Sequence, residues 1–252
     1  MFLTSKRLCF LCPQLKSSLA NIRLGYNAVF VAIRNYKSCL ECSIPAAEAV
    51  AVKDLNIVED FITEEEEKCL IKEIEPKWRR LKYQSGHWDN AIQDYRETEI
   101  SKWSRQSDSI INRIRSVAFK DSDLQKTLVH ILDLSADGYI KPHVDSVKFC
   151  GGVIAGLSLL SPCIMKFVKE DEPNMWIKAL LKQRSLYIMS NSIRYNYSHE
   201  VLKNKDSMIN GEHITKDRRI SIICRSEPSP DMNSENIFQN VVIPLELGDE
   251  NT

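Results

Sequence analysis

The stretch TLVHILDLSADGYIKPHVD, residues 127–145, is where the periodicity of the chain changes. Before it, apolar residues recur every three or four positions; from here on they alternate or gather in short β-branched runs. TLVHILDL and GYIKPHVD predict two strands parted by a turn at ADG. VIAGLSLLS (153–161), CIMKFVKE (163–170), SLYIMS (185–190), NYSHEVL (196–202) and RRISIICRS (218–226) predict five more. Upstream, LNIVEDFITEEEEKCLIKEIEPKW predicts a short strand and then a helix. Thr63 would be its N-cap, Glu64–Glu67 would face the positive end of the helix dipole, and Pro76 would break or kink it. Leu70, Ile71, Ile74 and Trp78 form its apolar stripe, and Ile110, Ile111, Ile114 and Val117 form that of a second helix. Helices followed by a run of strands predict a mostly β fold, an antiparallel sandwich or barrel with N-terminal helices packed on one side.

The chain has 252 residues with 34 acidic and 34 basic side chains, but the charges are unevenly placed. The first forty residues carry six bases and no acid, whereas residues 227–252 carry six acids and no base. A segment rich in Leu, Ser and Arg/Lys and free of acids has the composition of a mitochondrial transit peptide. We expect residues 1–36 to be one, cleaved after Tyr36, recognised by the mitochondrial import machinery and directing the chain to the matrix. The apolar run AVFVAI (28–33) is too short to span a bilayer, and no transmembrane segment is expected. A folded domain over 50–226 and a flexible acidic tail over 227–252 complete the expected organisation. The balanced charge between the two ends argues against bulk binding to nucleic acid. Cys9-x-x-Cys12 and Cys39-x-x-Cys42 could on paper make a four-thiolate zinc site. They lack the glycines of tight metal turns, and cleavage would discard the first pair. Cys69, Cys150, Cys163 and Cys224 read as reduced core residues.

Two residues apart on a strand, His143 and Asp145 project to one face. Such a pair with one distant imidazole makes a facial triad, the ligand set of non-haem Fe(II) oxygenases. Among the other histidines, His130 is expected on a neighbouring strand and His213 in a loop. His199, 54 residues beyond Asp145 and on a strand of its own, is the chosen third ligand. Arg219 and Arg225 are six apart, so on a strand they share a face with Ser221 and Ile223, while Ile220, Ile222 and Cys224 take the other. Buried arginines need anions, and two on one face suit a dicarboxylate.

HxD, a distant His and Arg-x5-Arg, in that order, resemble the Fe(II)/2-oxoglutarate dioxygenases of the AlkB branch. HILDLSADGYIKPHVDSVKFCGGVIAGLSLLSP, SLYIMSNSIRYNYSHE, RRISIICR and HWDNAIQDYRETEISKW carry the resemblance, which spans roughly residues 55–226. It implies a double-stranded β-helix (jelly-roll, cupin-like) core and the use of Fe(II), 2-oxoglutarate and O2. It assigns His143, Asp145 and His199 to the iron. Arg219 goes to the distal carboxylate of 2-oxoglutarate with Tyr187 assisting, and Arg225, with Ser221 beside it, to the metal end. One departure stands out: where many AlkB-type chains have Asn-x-Tyr, this one has Leu132 and Leu134, so one pocket wall must differ. GYIKPH also resembles the approach to the metal in prolyl hydroxylases, and little of the chain before the jelly-roll resembles a lid that grips a flipped base.

The expected reaction couples decarboxylation of 2-oxoglutarate to hydroxylation or oxidative demethylation of a protein or small molecule. Methylated mitochondrial RNA is the alternative substrate. A non-enzymatic module that binds metal and 2-oxoglutarate is a rival from another class. A zinc hydrolase, which two histidines and a carboxylate could also serve, leaves the arginine pair unexplained.

Overall fold

The computed structural model describes residues 39–86 and 91–228. The expected transit peptide, Cys9-x-x-Cys12 and all but the first two residues of the acidic tail lie outside them.

Local sequence sets the helices. Helix α1 (Pro45–Asp54) and strand β1 (Leu40–Cys42) carry no clear periodicity, yet both join the packed body, with β1 pairing β7 (Trp176–Leu181). Strand β2 (Leu55–Val58) leads to α2 (Glu64–Ile74). Thr63 Oγ1 accepts from Glu66 N at 3.2 Å and the Glu66 carboxylate accepts from Thr63 N at 2.9 Å, a reciprocal cap. Pro76 falls in a single 3-10 turn, Glu75–Trp78, that ends the helix. Helix α3 (Arg105–Ala118) starts on Ser104, whose hydroxyl accepts from Ser107 N. Leu70, Ile74, Trp78, Ile110, Ile111 and Ile114 are buried, as their spacing requires, while Ile71 and Val117 are only partly so.

The remaining strands are β3 (Ile92–Ile100), β4 (Val129–His143), β5 (Val153–Leu159), β6 (Cys163–Lys169), β8 (Leu186–Ser190), β9 (Tyr197–Val201) and β12 (Arg219–Arg225). A minor hairpin, β10 (Met208–Ile209) and β11 (Glu212–His213), forms a separate two-stranded sheet. A short helix, α4 (Asn191–Asn196), links β8 to β9. The sheet runs β1-β7-β6-β9-β4-β12-β5-β8-β2, with β3 also on β4, and every pairing is antiparallel. It curls so that two layers face each other, and this is the jelly-roll. One layer is β12, β5, β8, β2 and the first half of β4; the other is the end of β4 with β9, β6, β7 and β1. Between them lies a core that joins Leu132, Leu134, Ile154, Tyr187 and Ile223 to Met165, Phe167, Ile177, Leu181 and Val201. A second core packs α2 and α3 on the outer face of the first layer through Ile131, Leu157, Ile188, Ile220, Ile222 and Cys224. The two faces of β12 thus divide as their alternation requires.

The expected turn at ADG is absent: β4 is one strand of 15 residues. Its first half pairs with β12 (Leu134 opposite Arg219) and its end with β9 (His143 opposite His199), so the strand crosses from one layer to the other. Gly138 marks the crossing. A Cβ there would lie 2.5 Å from the Asp94 carbonyl oxygen, so the glycine permits close approach of β3 instead of making a turn. The same continuity corrects the placement of His130, which lies on the strand that ends at His143. Among the described residues, no helix is long and apolar enough to cross a membrane.

Candidate active site

The crossing of β4 delivers His143 to the mouth between the layers, where His199 faces it with ring centroids 4.4 Å apart. Asp145 lies two residues beyond the end of β4, in a loop and not on the strand as expected. It still reaches the pair: one ligand atom each from His143, Asp145 and His199 lie within 4.8 Å of one another, and His199 Nε2 is 3.5 Å from Asp145 Oδ2. Two imidazoles and one carboxylate suit a divalent transition metal with open positions on its far side. His213 is elsewhere, its Nε2 on the Asn204 carbonyl oxygen, 2.6 Å away.

The side chains are prepared for such a role. His143 Nδ1 lies 3.0 Å from the Lys141 carbonyl oxygen, which can only accept; Nδ1 therefore carries a proton, and Nε2 is the ring nitrogen that faces a metal. Burial pushes the His199 pKa down to about 4, against the opposing pull of Asp145, so its ring is neutral. For Asp145, burial works against ionisation, but His199, once protonated in acid, together with Arg225, His143 and Arg194, holds its carboxyl below the usual range. These shifts have a consequence for the metal-free protein. As pH falls, the unfolded chain protonates His199 before the folded one, so stability is full above about pH 6.5 and declines towards pH 4. Asp145 acts in the same direction at lower pH. The loss on the His199 account is roughly 3 kcal/mol. Thermal midpoints measured in chelator should therefore fall from pH 7 to 4.5, and fall less in His199→Gln; parallel profiles would contradict this.

Arg194 of α4 holds the loop that carries Asp145. Almost fully buried, it donates from Nη1, Nη2 and Nε to the carbonyl oxygens of Asp145, Cys150 and Gly151, each at 2.9 Å. These bonds replace the ladder bonds that the residues beyond His143 lack. Arg194→Met should lower stability by roughly 3 kcal/mol or more, because three buried carbonyls lose a charged donor. Urea unfolding measures it.

Deeper between the layers, the inward face of β12 presents Arg219, Ser221, Ile223 and Arg225. Arg219 is 1 % exposed; its Nε donates to Ser158 Oγ at 3.0 Å, and its Nη2 is buried with no hydrogen-bond partner among the described residues. A buried guanidinium with an unmet donor fits an anion. Ser221 is buried opposite Ser158 and Leu132, and Leu134 stands opposite Arg219. The two leucines that replace Asn-x-Tyr are thus an apolar wall beside the arginine. Tyr187 faces Gly156 across β8 and β5, and a Cβ on Gly156 would lie 2.2 Å from Tyr187 Cζ. Burial raises the Tyr187 pKa, so its hydroxyl stays a donor. Gly156→Ala must push the ring aside. It should weaken 2-oxoglutarate binding several-fold, and Tyr187→Phe should do about the same if the phenol donates to the cosubstrate, at ~1 kcal/mol for a neutral bond. Calorimetric titration would show it.

At the metal end, Arg225 Nη2 is 3.6 Å from Asp145 Oδ1 and Nη1 is 3.1 Å from His130 Nδ1. Both Arg225 and His130 line a cleft of about 330 Å3 together with Glu97, Thr98 and Glu99 of β3. Arg194, Ser158, Gly156 and this part of β3 are contributors that sequence reasoning missed. For Arg194 the one available signal was its place between the core residues Ile193 and Tyr197.

These geometries are what a 2-oxoglutarate oxygenase requires. Residues 54–225 match the 2OG-Fe(II) oxygenase superfamily, and the chain belongs to it: it is a dioxygenase that uses Fe(II), 2-oxoglutarate and O2. Within the family it is 51 % identical over 168 residues to the mouse mitochondrial alpha-ketoglutarate-dependent dioxygenase alkB homolog 7, covering 67 % of this chain and 76 % of that one. The bovine protein of the same name is 49 % identical over the same shares. The solved structure of OsALKBH1 superposes with a TM-score of 0.52 at 11 % identity, over 68 % of this chain and 97 % of that one, a likeness of fold alone.

Proposed function

We propose that His143, Asp145 and His199 hold the Fe(II), that Arg219 with Tyr187 receives the distal carboxylate of 2-oxoglutarate, and that Arg225 and Ser221 line the metal end. The observation that carries this reading is the Arg219 Nη2, which has no hydrogen-bond partner among the described residues and is buried on the same inward face as Arg225, which reaches Asp145. Held by these three residues, Fe(II) would supply the chemistry that couples decarboxylation of 2-oxoglutarate to succinate and CO2 with oxidation of a substrate C–H bond by O2. The protein's residues do the rest. The Lys141 carbonyl orients the His143 ring, Arg194 fixes the backbone at Asp145, and Arg219 sets the depth of the cosubstrate.

The substrate proposed is a protein or small molecule, hydroxylated or oxidatively demethylated. Glu97 and Glu99 on the cleft beside Arg225 support it, since carboxylates at the mouth repel a phosphate backbone. Titrating the protein with methylated RNA and with peptides at increasing salt tests this. RNA affinity that is high and falls steeply with salt would favour the methylated-RNA reading instead. Residues 1–36 are proposed to direct the chain to the mitochondrial matrix, supported by their composition and by the names of the mouse and bovine relatives. Import into isolated mitochondria, with N-terminal sequencing of the product, tests both destination and cleavage after Tyr36. The catalytic domain is proposed to span 50–226 and the tail 227–252 to be flexible.

A further inference from the structure

We propose that His130 is a positioning residue that, through Arg225, selects which oxygen of Asp145 faces the metal; this rests on the ligand assignment above. The groups form a line: Glu97 Oε2 to His130 Nε2 at 2.9 Å, His130 Nδ1 to Arg225 Nη1 at 3.1 Å, and Arg225 Nη2 to Asp145 Oδ1 at 3.6 Å. The direction of each bond follows from chemistry. A guanidinium only donates, so His130 Nδ1 must accept, its single proton is on Nε2, and that proton goes to Glu97. The arrangement therefore needs a neutral imidazole with one defined tautomer, and Glu97 supplies the acceptor that fixes it.

What the line accomplishes is seen at its end. Arg225 lies on the wall of an open cleft and, as a long side chain, would lose rotamer freedom if held by Asp145 alone at 3.6 Å. His130 stands opposite Ile223 in the β4–β12 register, so its ring comes from the same inward face as Arg225, two residues further on. The bond to Nη1 turns the plane of the guanidinium so that Nη2 meets Oδ1. Oδ1 is then drawn towards the guanidinium as an ion pair, longer than a hydrogen bond, and Oδ2, the oxygen 3.5 Å from His199 Nε2, is left for the metal. A carboxylate held this way ligates through one oxygen and leaves the open positions of the site free.

Metal affinity reads this out without turnover. Mn(II), visible by electron paramagnetic resonance and unreactive to air, would be titrated into the full-length metal-free protein and its His130→Ala, His130→Asn and Asp145→Ala variants. Asparagine places its side-chain oxygen where His130 has Nδ1, so it keeps the acceptor for Arg225. We expect His130→Ala to bind Mn(II) about tenfold more weakly, the range for groups that orient a ligand, with His130→Asn within about twofold of wild type and a broader Mn(II) spectrum in the alanine variant alone. Affinity in His130→Ala equal to wild type overturns the proposal, as does a loss that asparagine fails to restore, which would mark His130 as a packing residue. Wild type that binds no better than Asp145→Ala overturns the ligand assignment and the proposal with it.

Discussion

Replacing His143 and Asp145 together with alanine is expected to reduce uncoupled decarboxylation of 2-oxoglutarate to the level of a protein-free control. Three protein ligands suffice to hold a divalent metal while leaving positions for a bidentate cosubstrate and O2. With two removed, only a buried imidazole remains, and no chelate can form. Arg219 would still be in place, so 2-oxoglutarate could still make its far contact, yet nothing would activate it. The measurement is release of labelled CO2 with Fe(II) and ascorbate present and no other substrate. Equal turnover in wild type and double variant would mean that the convergence of these side chains is not the catalytic centre, and would favour a module that binds without reacting.

Losing Arg219 should instead appear as weakened cosubstrate binding. Its Nη2 has no hydrogen-bond partner among the described residues and its Nε is already engaged by Ser158. A charged hydrogen-bond donor aimed at a carboxylate contributes ~1.5–3 kcal/mol, so Arg219→Ala should raise the KM for 2-oxoglutarate by about 10- to 100-fold. Arg219→Lys should recover part of the loss, since an ammonium keeps the charge and loses the planar fork. Leu134 opposite and Leu132 beside it offer the carboxylate no hydrogen bond in its place. An unchanged KM in Arg219→Ala would place the distal carboxylate elsewhere.

Much of this is legible without coordinates. The alternation of β12 alone puts Arg219 and Arg225 on one face and Ile220, Ile222 and Cys224 on the other, and both faces are occupied accordingly. Thr63 and Ser104 show how local chemistry starts a helix. What escapes is non-local. ADG looks like a turn because Asp and Gly are frequent in turns; here the glycine serves the approach of β3, which no window of β4 contains. Strand β3 itself, IQDYRETEI, is polar on both faces except at Ile92, Tyr95 and Ile100, so its pattern is weak and its membership comes from pairing with β4. Spacing alone puts Asp145 on a strand; the strand ends at His143, and the course of the chain past that point depends on Arg194, 49 residues away. Three backbone carbonyls as partners leave no trace in sequence, which is why that arginine cannot be assigned a role from the chain alone.

The central claim is that one metal ion sits among His143, Asp145 and His199. Anomalous diffraction from crystals grown with Mn(II), recorded on both sides of the manganese edge, tests it most directly. The account predicts a single strong peak within about 2.0–2.3 Å of an imidazole nitrogen of His143, Oδ2 of Asp145 and Nε2 of His199. A peak at any other group of side chains, with these three left bare, would contradict it.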